Sequence, residues 1–407
     1  MTLALRRRDE TSARMDVIEE FYDRHPYPPP ASDLDAVAPR DPLAQRAAFH
    51  LVWPDRPYVE RDRTLVAGCG TTQAARHAML RGQAEVVGID VSSTSLEHSR
   101  QLARRHGLDN LTLRRLAIED VGDLGQTFDH IVCTGVLHHL ADPVAGLRAL
   151  GEVLAPGGAI TLMVYAPYGR AGIYLLQDYC RRLGITTESH DIADLVATLR
   201  EIPTGHPISR LLRESPDFRD DDALADALLN PRDRAYAVPE LLGLLNSAGL
   251  RLGRWTRQAP YLPDCGSMSE TPHAARIAAL PLPEQFAALE LFRGTIARHS
   301  VIAFSAADEA SGRLEFADPA SPLWRPIRVP TAIAVEERLP PGAAAALLNR
   351  AHAATDLVLF VTKAELEMFR RIDGARAIGD LGADAQAFVE RLFRHDLVVI
   401  DASGAPR

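Results

Sequence analysis

With 407 residues, 46% hydrophobic and 24% charged, the chain has ample apolar content for an ordinary soluble globular fold and is too long for one average domain. Its net charge of −9 and pI near 5.9 argue against a protein that coats a nucleic-acid backbone. No run approaches the ~18 apolar residues of a membrane span, and MTLALRRRDETSARMD lacks the apolar core and small-residue cleavage site of a secretory signal.

Residues 13–23 read as a short amphipathic helix, with Met15, Ile18, Phe21 and Tyr22 at helical spacing. His25-Pro26-Tyr27-Pro28-Pro29-Pro30 ends it, and residues 31–41 read as loop. Pro42–Trp53 is a second helix, capped by Asp41 with Pro42 at its first position. Arg63–Asp90 then reads strand, glycine turn, helix, strand. Thr64–Ala67 is apolar, Gly68-Cys69-Gly70 breaks it, Thr72–Arg81 is helical, Gly82 stands where a helix stop belongs, and Ala84–Ile89 runs into Asp90. Such a unit aims its turn and the end of its second strand at one crevice on the carboxyl edge of a parallel sheet. A carboxylate there suits a ribose diol. A dinucleotide fingerprint would carry a third glycine where Gln73 stands, so this stretch leaves a dinucleotide and a mononucleoside such as S-adenosylmethionine both open.

The alternation continues with helix Ser92–His106, strands Leu111–Leu116 and Phe128–Thr134, and a helix opened by Asp142-Pro143 with Val144, Leu147, Leu150 and Leu154 on one face. Pro156-Gly157-Gly158 is expected to turn into strand Ala159–Val164, which makes a doubly wound parallel sheet. Residues 166–237 are mostly helical and read as an insertion that caps the site, or as a packing or dimer element. Val238–Ser247 is a helix, and Leu250–Thr256 and His299–Phe304 are strands. Beyond a linker at Glu309–Gly312, residues 308–407 form a separate small α+β unit. It is expected to have an alanine-rich helix at Pro341–Ala354, strand Asp356–Val361, a helix from the T-x-x-E box at Thr362, helix Ala383–Phe393 and strand Leu397–Ile400, giving a winged-helix-like domain. Cys69, Cys133, Cys180 and Cys265 have no metal-ligand spacing, so no metal is expected and a reducing cytoplasm is the simplest setting. Lys363 is the only lysine, which excludes a lysine Schiff base in the glycine-rich domain.

LVAGCGTTQ, VVGIDVS, FDHIVCTGVLHHLADP and LAPGGAITLMVY, in this order and spacing, resemble the class I S-adenosylmethionine-dependent methyltransferases over residues 63–165. The resemblance implies a Rossmann-like, seven-stranded α/β core with an antiparallel last strand over residues 63–307, carrying the insertion at 166–237. It implies Gly68 and Gly70, with Thr71 and Gln73 of the same turn, against the methionine part of the cofactor. Asp90 would hold the ribose and Val91 the adenine face, with Glu119 near the adenine amino group. Thr134 and His139 would line the floor near the sulfonium. FYDRHPYPPP is similar to an arm found in a bacterial branch of these enzymes, which implies that residues 1–62 fold over the cofactor as a lid. Tyr22, His25 and Tyr27 are then candidates for the cofactor carboxylate or the substrate. The chain departs from the family at Val66, where an acid is common, at Thr72, and at Ala117, where the acid after the third strand is displaced to Glu119.

Methyl transfer from a sulfonium is an in-line displacement that depends on positioning. A base is needed only where the nucleophile carries a proton, and His138 and His139, with Tyr22, are the candidates. Substrate contacts are expected from Tyr165, Tyr168 and Arg170 and from Arg232, Arg234 and Tyr236. The expected acceptor is a small molecule, such as a natural-product intermediate, or a peptide. An RNA-modifying methyltransferase, a nucleotide-dependent oxidoreductase and a non-catalytic cofactor-binding regulator are the alternatives. Basic and acidic residues balance in the C-terminal unit, which weakly resembles peptide-recognition modules. It therefore reads as a partner-binding or homodimerising element rather than a nucleic-acid binder, and a dimer through it or through the insertion is expected.

Overall fold

The two apolar runs around Gly68-Cys69-Gly70 become the centre of a seven-stranded mixed sheet in the computed structural model, which describes residues 16–35, 41–214, 218 and 220–404. Its strands are β1 (Arg63–Ala67), β2 (Glu85–Asp90), β3 (Leu111–Arg115), β4 (Phe128–Thr134), β5 (Leu154–Tyr165), β6 (Leu250–Trp255) and β7 (Arg298–Ser305), in the spatial order β3-β2-β1-β4-β5-β7-β6. β1 to β5 pair in parallel, and β7 runs antiparallel to both β5 and β6. The runs are apolar because both faces are covered: Leu65, Val66, Ile89, Ile131 and Ile160 are fully buried.

Helices α1 (Val17–Arg24) and α2 (Pro42–Val52) precede the sheet, and α3 (Gln73–Leu80), α4 (Ser93–His106) and α5 (Pro143–Glu152) cross over between its strands. Asp41, Ser92 and Asp142 cap their helices by accepting backbone N–H bonds, as their positions predict. α1 begins at Asp16, which accepts from the Ile18 N–H; residues 13–15 of the expected helix and 36–40 of the expected loop lie outside the described residues. The insertion is helical as expected: α6 (Ala171–Leu183), α7 (Ser189–Arg200), α8 (Ser209–Glu214) and α9 (Asp221–Leu229). α10 (Val238–Ser247) leads to β6. Between β6 and β7 the chain adds α11 (Ala274–Ala278) and α12 (Leu282–Arg293), which the sequence did not signal.

Three local expectations are corrected. Gly82 does not stop α3. The helix ends at Leu80, and Asn110 Nδ2 takes the terminal carbonyls of Ala78 and Arg81. Pro156-Gly157-Gly158 is not a turn before the strand but an irregularity inside β5, which starts at Leu154 and shifts register against β4. There the Gly157 carbonyl accepts from Trp53 Nε1 and Arg56. Pro341–Ala354 is not a helix. Its centre is strand β10 (Ala345–Asn349), paired on both sides with β9 (Ala332–Val335) and β11 (Val358–Val361). Two antiparallel partners override the helix propensity of alanine and leucine.

The C-terminal unit is completed by β8 (Arg325–Arg328), α13 (Lys363–Arg371), α14 (Ala385–Arg394) and β12 (Val398–Asp401). The Thr362 capping box forms as read. Strands lead here: four precede the two helices, instead of helices preceding a wing. The unit has its own core around Trp324, Leu347, Phe369, Phe388 and Leu392. It is fastened to the sheet domain by Arg254–Asp396 at 3.4 Å and Arg293–Asp356 at 3.0 Å. It is also packed against α2, whose Leu43, Ala47 and Leu51 meet Ile327 and Val399. Among the described residues no helix is long and apolar enough to cross a membrane.

His130 on β4 gives the fold a pH dependence. Its ring is buried, with Nε2 at 2.8 Å from Thr161 Oγ1, and burial pulls its pKa down to about 3. The unfolded chain takes up that proton near the ordinary value of ~6.5, so below it the unfolded state binds more protons and stability falls as pH falls. Between pH 6.5 and 5 this amounts to about 2 kcal/mol. Burial lowers His77 as well, to about 4, which adds in the same direction. Urea unfolding at pH 7 and pH 5 should show the loss, and His130→Gln should reduce it. An unchanged pH dependence in the variant would remove His130 as its source.

Candidate functional site

Across the carboxyl edge of the parallel strands lies a crevice of 1020 Å³. A drug-sized ligand occupies a pocket of roughly 300–1,000 Å³, so this one has room for two reactants side by side. Its walls follow the strand order. Glu119 stands after β3, Asp90 and Val91 at the end of β2, Gly68 and Gly70 after β1, Thr134 and His139 after β4, and Tyr165 at the end of β5.

Gly68 and Gly70 adopt φ of +67° and +53°. A Cβ on Gly68 would fall 2.4 Å from Val136, and one on Gly70 would fall 2.9 Å from the Tyr27 carbonyl oxygen. The glycines are therefore required by how tightly Val136 and the N-terminal arm close on the turn, as well as by its dihedrals. Asp90 organises the same turn. Its Oδ2 accepts from the Gly70 N–H at 2.8 Å and its Oδ1 from the Ser92 N–H at 2.9 Å. Burial pushes its carboxyl above the usual range, against the pull of these donors toward the ionised form. Each oxygen keeps a second lone pair for a ligand hydroxyl. Leu116, Ile118 and Val91 give the neighbouring wall an apolar face, and Glu119 makes no hydrogen bond or ion pair among the described residues. A nucleoside fits these groups: a diol on Asp90, a base against Val91 and Ile118, and an amino group toward Glu119. Gln73 and Thr134 also line the crevice and bond each other at 2.5 Å.

Thr71 is displaced from the expected role. It is fully buried outside the crevice wall, and its hydroxyl donates to the Pro28 carbonyl at 2.7 Å, tying the arm to the glycine turn. The arm is held further by Asp23, which accepts from Ser92 Oγ at 2.8 Å and the Thr94 N–H at 3.2 Å. Ile18, Tyr22, Tyr27 and Pro28 of the arm line the crevice, whereas His25 turns away to Asp222 at 2.9 Å.

His139 faces the crevice, with Nδ1 2.6 Å from the Arg232 carbonyl oxygen. A carbonyl only accepts, so Nδ1 is the donor, and in the neutral ring Nε2 then carries the lone pair. Tyr22 packs its ring edge on His139 at 5.9 Å and donates its hydroxyl to buried Asp226 at 2.8 Å. Burial and that carboxylate raise the Tyr22 phenol well above its ordinary pKa, so the hydroxyl stays protonated. His138 does not reach the crevice. Its ring is wedged 4.1 Å from Tyr165 and 4.2 Å from His139, neither nitrogen has a partner, and burial holds it neutral by pushing its pKa well down.

His138, His139 and Asp233 bring ligand-type atoms within 4.8 Å of one another. Both His138 nitrogens and Asp233 Oδ1 are buried without a hydrogen-bond partner among the described residues. Asp233 Oδ2 accepts from Gln177 at 2.9 Å, and the Arg170 guanidinium lies 3.4 Å away.

Of the expected acceptor contacts, Tyr165 lines the crevice, and so does Arg170, stacked 3.5 Å over the Tyr165 ring. Four others are elsewhere. Tyr168 is exposed on the surface, and Arg232 reaches Asp16 and the His139 carbonyl. Arg234 lies 3.8 Å from Glu240, and Tyr236 is buried in the sheet core. The residues that sequence reasoning missed are Thr256 and Arg257 after β6, Arg298 and Ser300 on β7, and Ala351–Ala354 of the C-terminal unit.

Residues 65–160 match a family model described as a methyltransferase domain. An uncharacterized protein of Synechococcus sp., syc1184_c, is 32% identical over 256 residues, 61% of each chain. A ubiquinone biosynthesis O-methyltransferase of Alkalilimnicola ehrlichii is 33% identical over 31% of this chain and 55% of its own. A tRNA 5-carboxymethoxyuridine methyltransferase of Escherichia coli K12 is 33% identical over 29% and 48%. The chain thus spans about half to three fifths of the length of these relatives. The structure of PKMT2 from Rickettsia typhi in complex with AdoHcy matches with a TM-score of 0.63 at 15% identity, over 92% of this chain and 77% of that one, so the likeness of fold extends through the C-terminal unit. The matched domain, the strand order and the glycine-turn crevice together show that the chain carries a methyltransferase domain at residues 65–160, set in the fold of the class I S-adenosylmethionine-dependent methyltransferases.

Proposed function

We propose that the chain transfers a methyl group from S-adenosylmethionine to a small-molecule acceptor, with His139 as the base where the nucleophile carries a proton. The observation that carries this is His139 itself. It stands at the middle of the crevice with Nδ1 fixed on the Arg232 carbonyl, which leaves Nε2 to receive a proton. Asp90, Val91 and Glu119 hold the nucleoside end, and Gly68, Gly70, Gln73, Thr134 and Tyr27 surround the amino-acid end. Bound there, the cofactor supplies an electrophilic methyl group on a good leaving group. The protein's part is then alignment, which accounts for roughly 7–11 kcal/mol in well-oriented reactions. Tyr22 and Tyr27 exclude water from above as a lid. The acidic balance of the chain and a crevice covered by the arm support a small acceptor over RNA.

Calorimetric titration with S-adenosylmethionine and with NAD tests the reading. Saturable binding of the first and none of the second is expected; the reverse would overturn it. Gly70→Ala should weaken S-adenosylhomocysteine binding at least tenfold. Its Cβ meets the Tyr27 carbonyl at 2.9 Å, and a left-handed non-glycine residue adds about 1–2 kcal/mol of strain.

A further inference from the structure

Resting on the methyl-transfer reading, we infer that the acceptor is an anion whose carboxylate or phosphate is held by Arg257 and Arg298. The order of strands sets the crevice out in a line. Its carboxylates among the described residues, Asp90 and Glu119, lie at the β2 and β3 end, where the nucleoside belongs on that reading. Beyond His139 the line continues to Tyr165 on β5. Its direct partner across the ladder is Arg298, the first residue of β7. The Thr256 N–H donates to the Ser300 carbonyl at 2.9 Å, which extends the β6–β7 pairing past Trp255 and brings Arg257 to the same edge.

Of the five arginines that line the crevice, Arg76, Arg257 and Arg298 have side chains without a hydrogen bond or ion pair among the described residues, and Arg76 stands apart on α3 whereas the other two share one edge. Arg170 is engaged by Tyr165 and Asp233, and Arg293 by Asp356 at 3.0 Å and the Pro260 carbonyl at 2.7 Å. Arg257 and Arg298 make no hydrogen bond or ion pair among the described residues, although each lies within the other's field. The carboxylate nearest Arg257 is Asp396. It is already held by Arg254 at 3.4 Å, His352 at 3.1 Å and the Ala259 N–H at 2.9 Å. Two repelling guanidinium groups, left without a counter-charge in a chain of net charge −9, form a place for an anion to be received by paired hydrogen bonds.

The C-terminal unit completes this end. Ala351, His352, Ala353 and Ala354 form the crevice wall beside the arginines, and the His352–Asp396 contact anchors that loop. The small side chains leave space, so the unit shapes the acceptor pocket directly. β4 and β7 are two strand spacings apart, roughly 10 Å. The acceptor's nucleophile and its anionic group should therefore lie within about that distance, less the reach of an arginine, as in a single ring bearing both.

Benzoate and inorganic phosphate are suitable probes, each titrated into the full chain saturated with S-adenosylhomocysteine. Saturable binding of at least one is expected, and the tighter one distinguishes a carboxylate from a phosphate site. In Arg257→Gln/Arg298→Gln that affinity should fall at least tenfold, with S-adenosylhomocysteine affinity unchanged, which also reports that the variant is folded. If neither probe binds the cofactor-loaded protein, or if the double variant binds them as well as the parent, the anion site is overturned while the methyl-transfer reading stands. If S-adenosylhomocysteine itself does not bind, both fall together.

Discussion

Asp90→Ala should weaken S-adenosylmethionine binding by at least 100-fold. Hydrogen bonds to a charged group contribute about 1.5–3 kcal/mol each. Two ribose hydroxyls on one carboxylate therefore account for roughly 3–6 kcal/mol, or a factor of about 10²–10⁴. A second loss compounds the first. The carboxylate also accepts from the N–H groups of Gly70 and Ser92, so its removal frees the glycine turn and the start of α4 from one shared anchor. Those unpaired donors should lower folding stability by about 1–3 kcal/mol. Asp90→Asn keeps one acceptor and should lie between the parent and alanine. Calorimetry on all three, beside urea unfolding, separates the two contributions. An alanine variant that binds within threefold of the parent would remove Asp90 from the cofactor site.

The half of the crevice around the glycine turn could be read from the chain because it is built locally. A strand, a glycine turn and a carboxylate at the end of the next strand lie within Arg63–Asp90, and their chemistry does not depend on distant partners. Capping is equally local, and Asp41, Ser92 and Asp142 all cap the helices assigned to them. Where tertiary pairing decides, the reading failed. Ala345–Asn349 has helix-forming residues but lies between two antiparallel strands. Arg232 and Arg234 are near the crevice in sequence order, yet one braces His139 through its own carbonyl and the other meets Glu240 on the surface.

The β6–β7 end of the crevice shows the same limit. A signal for it was present, because an antiparallel final strand brings its first residues, not its last, to the carboxyl edge of the parallel strands. The expected strand at His299–Phe304 thus pointed toward Arg298. Arg257 could not be placed without the β6–β7 register, nor Ala351–Ala354 without the docking of the C-terminal unit. That docking also gives the unit's ion pairs a functional meaning. Arg254–Asp396 and Arg293–Asp356 hold one wall of the crevice against the sheet, so the unit contributes to the crevice as well as to the fold.

His139→Ala should lower kcat by about 10²–10⁴ for an acceptor whose nucleophile carries a proton, the range expected for loss of a positioned base. KM for S-adenosylmethionine should change little, because the proposed site holds the cofactor chiefly through Asp90 and the glycine turn. The split matters because His139 also packs against Tyr22 and His138. A merely structural role would disturb the arm and raise KM along with any fall in kcat. Tyr22→Phe gives the complementary reading. It keeps the ring on His139 but removes the hydroxyl that Asp226 and Asn230 share, leaving a buried carboxyl with one partner fewer. Its effect on kcat should be smaller, about tenfold, since the His139 Nδ1–H remains fixed on the Arg232 carbonyl. Turnover can be followed as S-adenosylhomocysteine formation, with acceptors drawn from the anions that bind Arg257 and Arg298. Undiminished kcat in His139→Ala would leave the displacement to alignment alone, with the proton lost to solvent after the methyl group has moved.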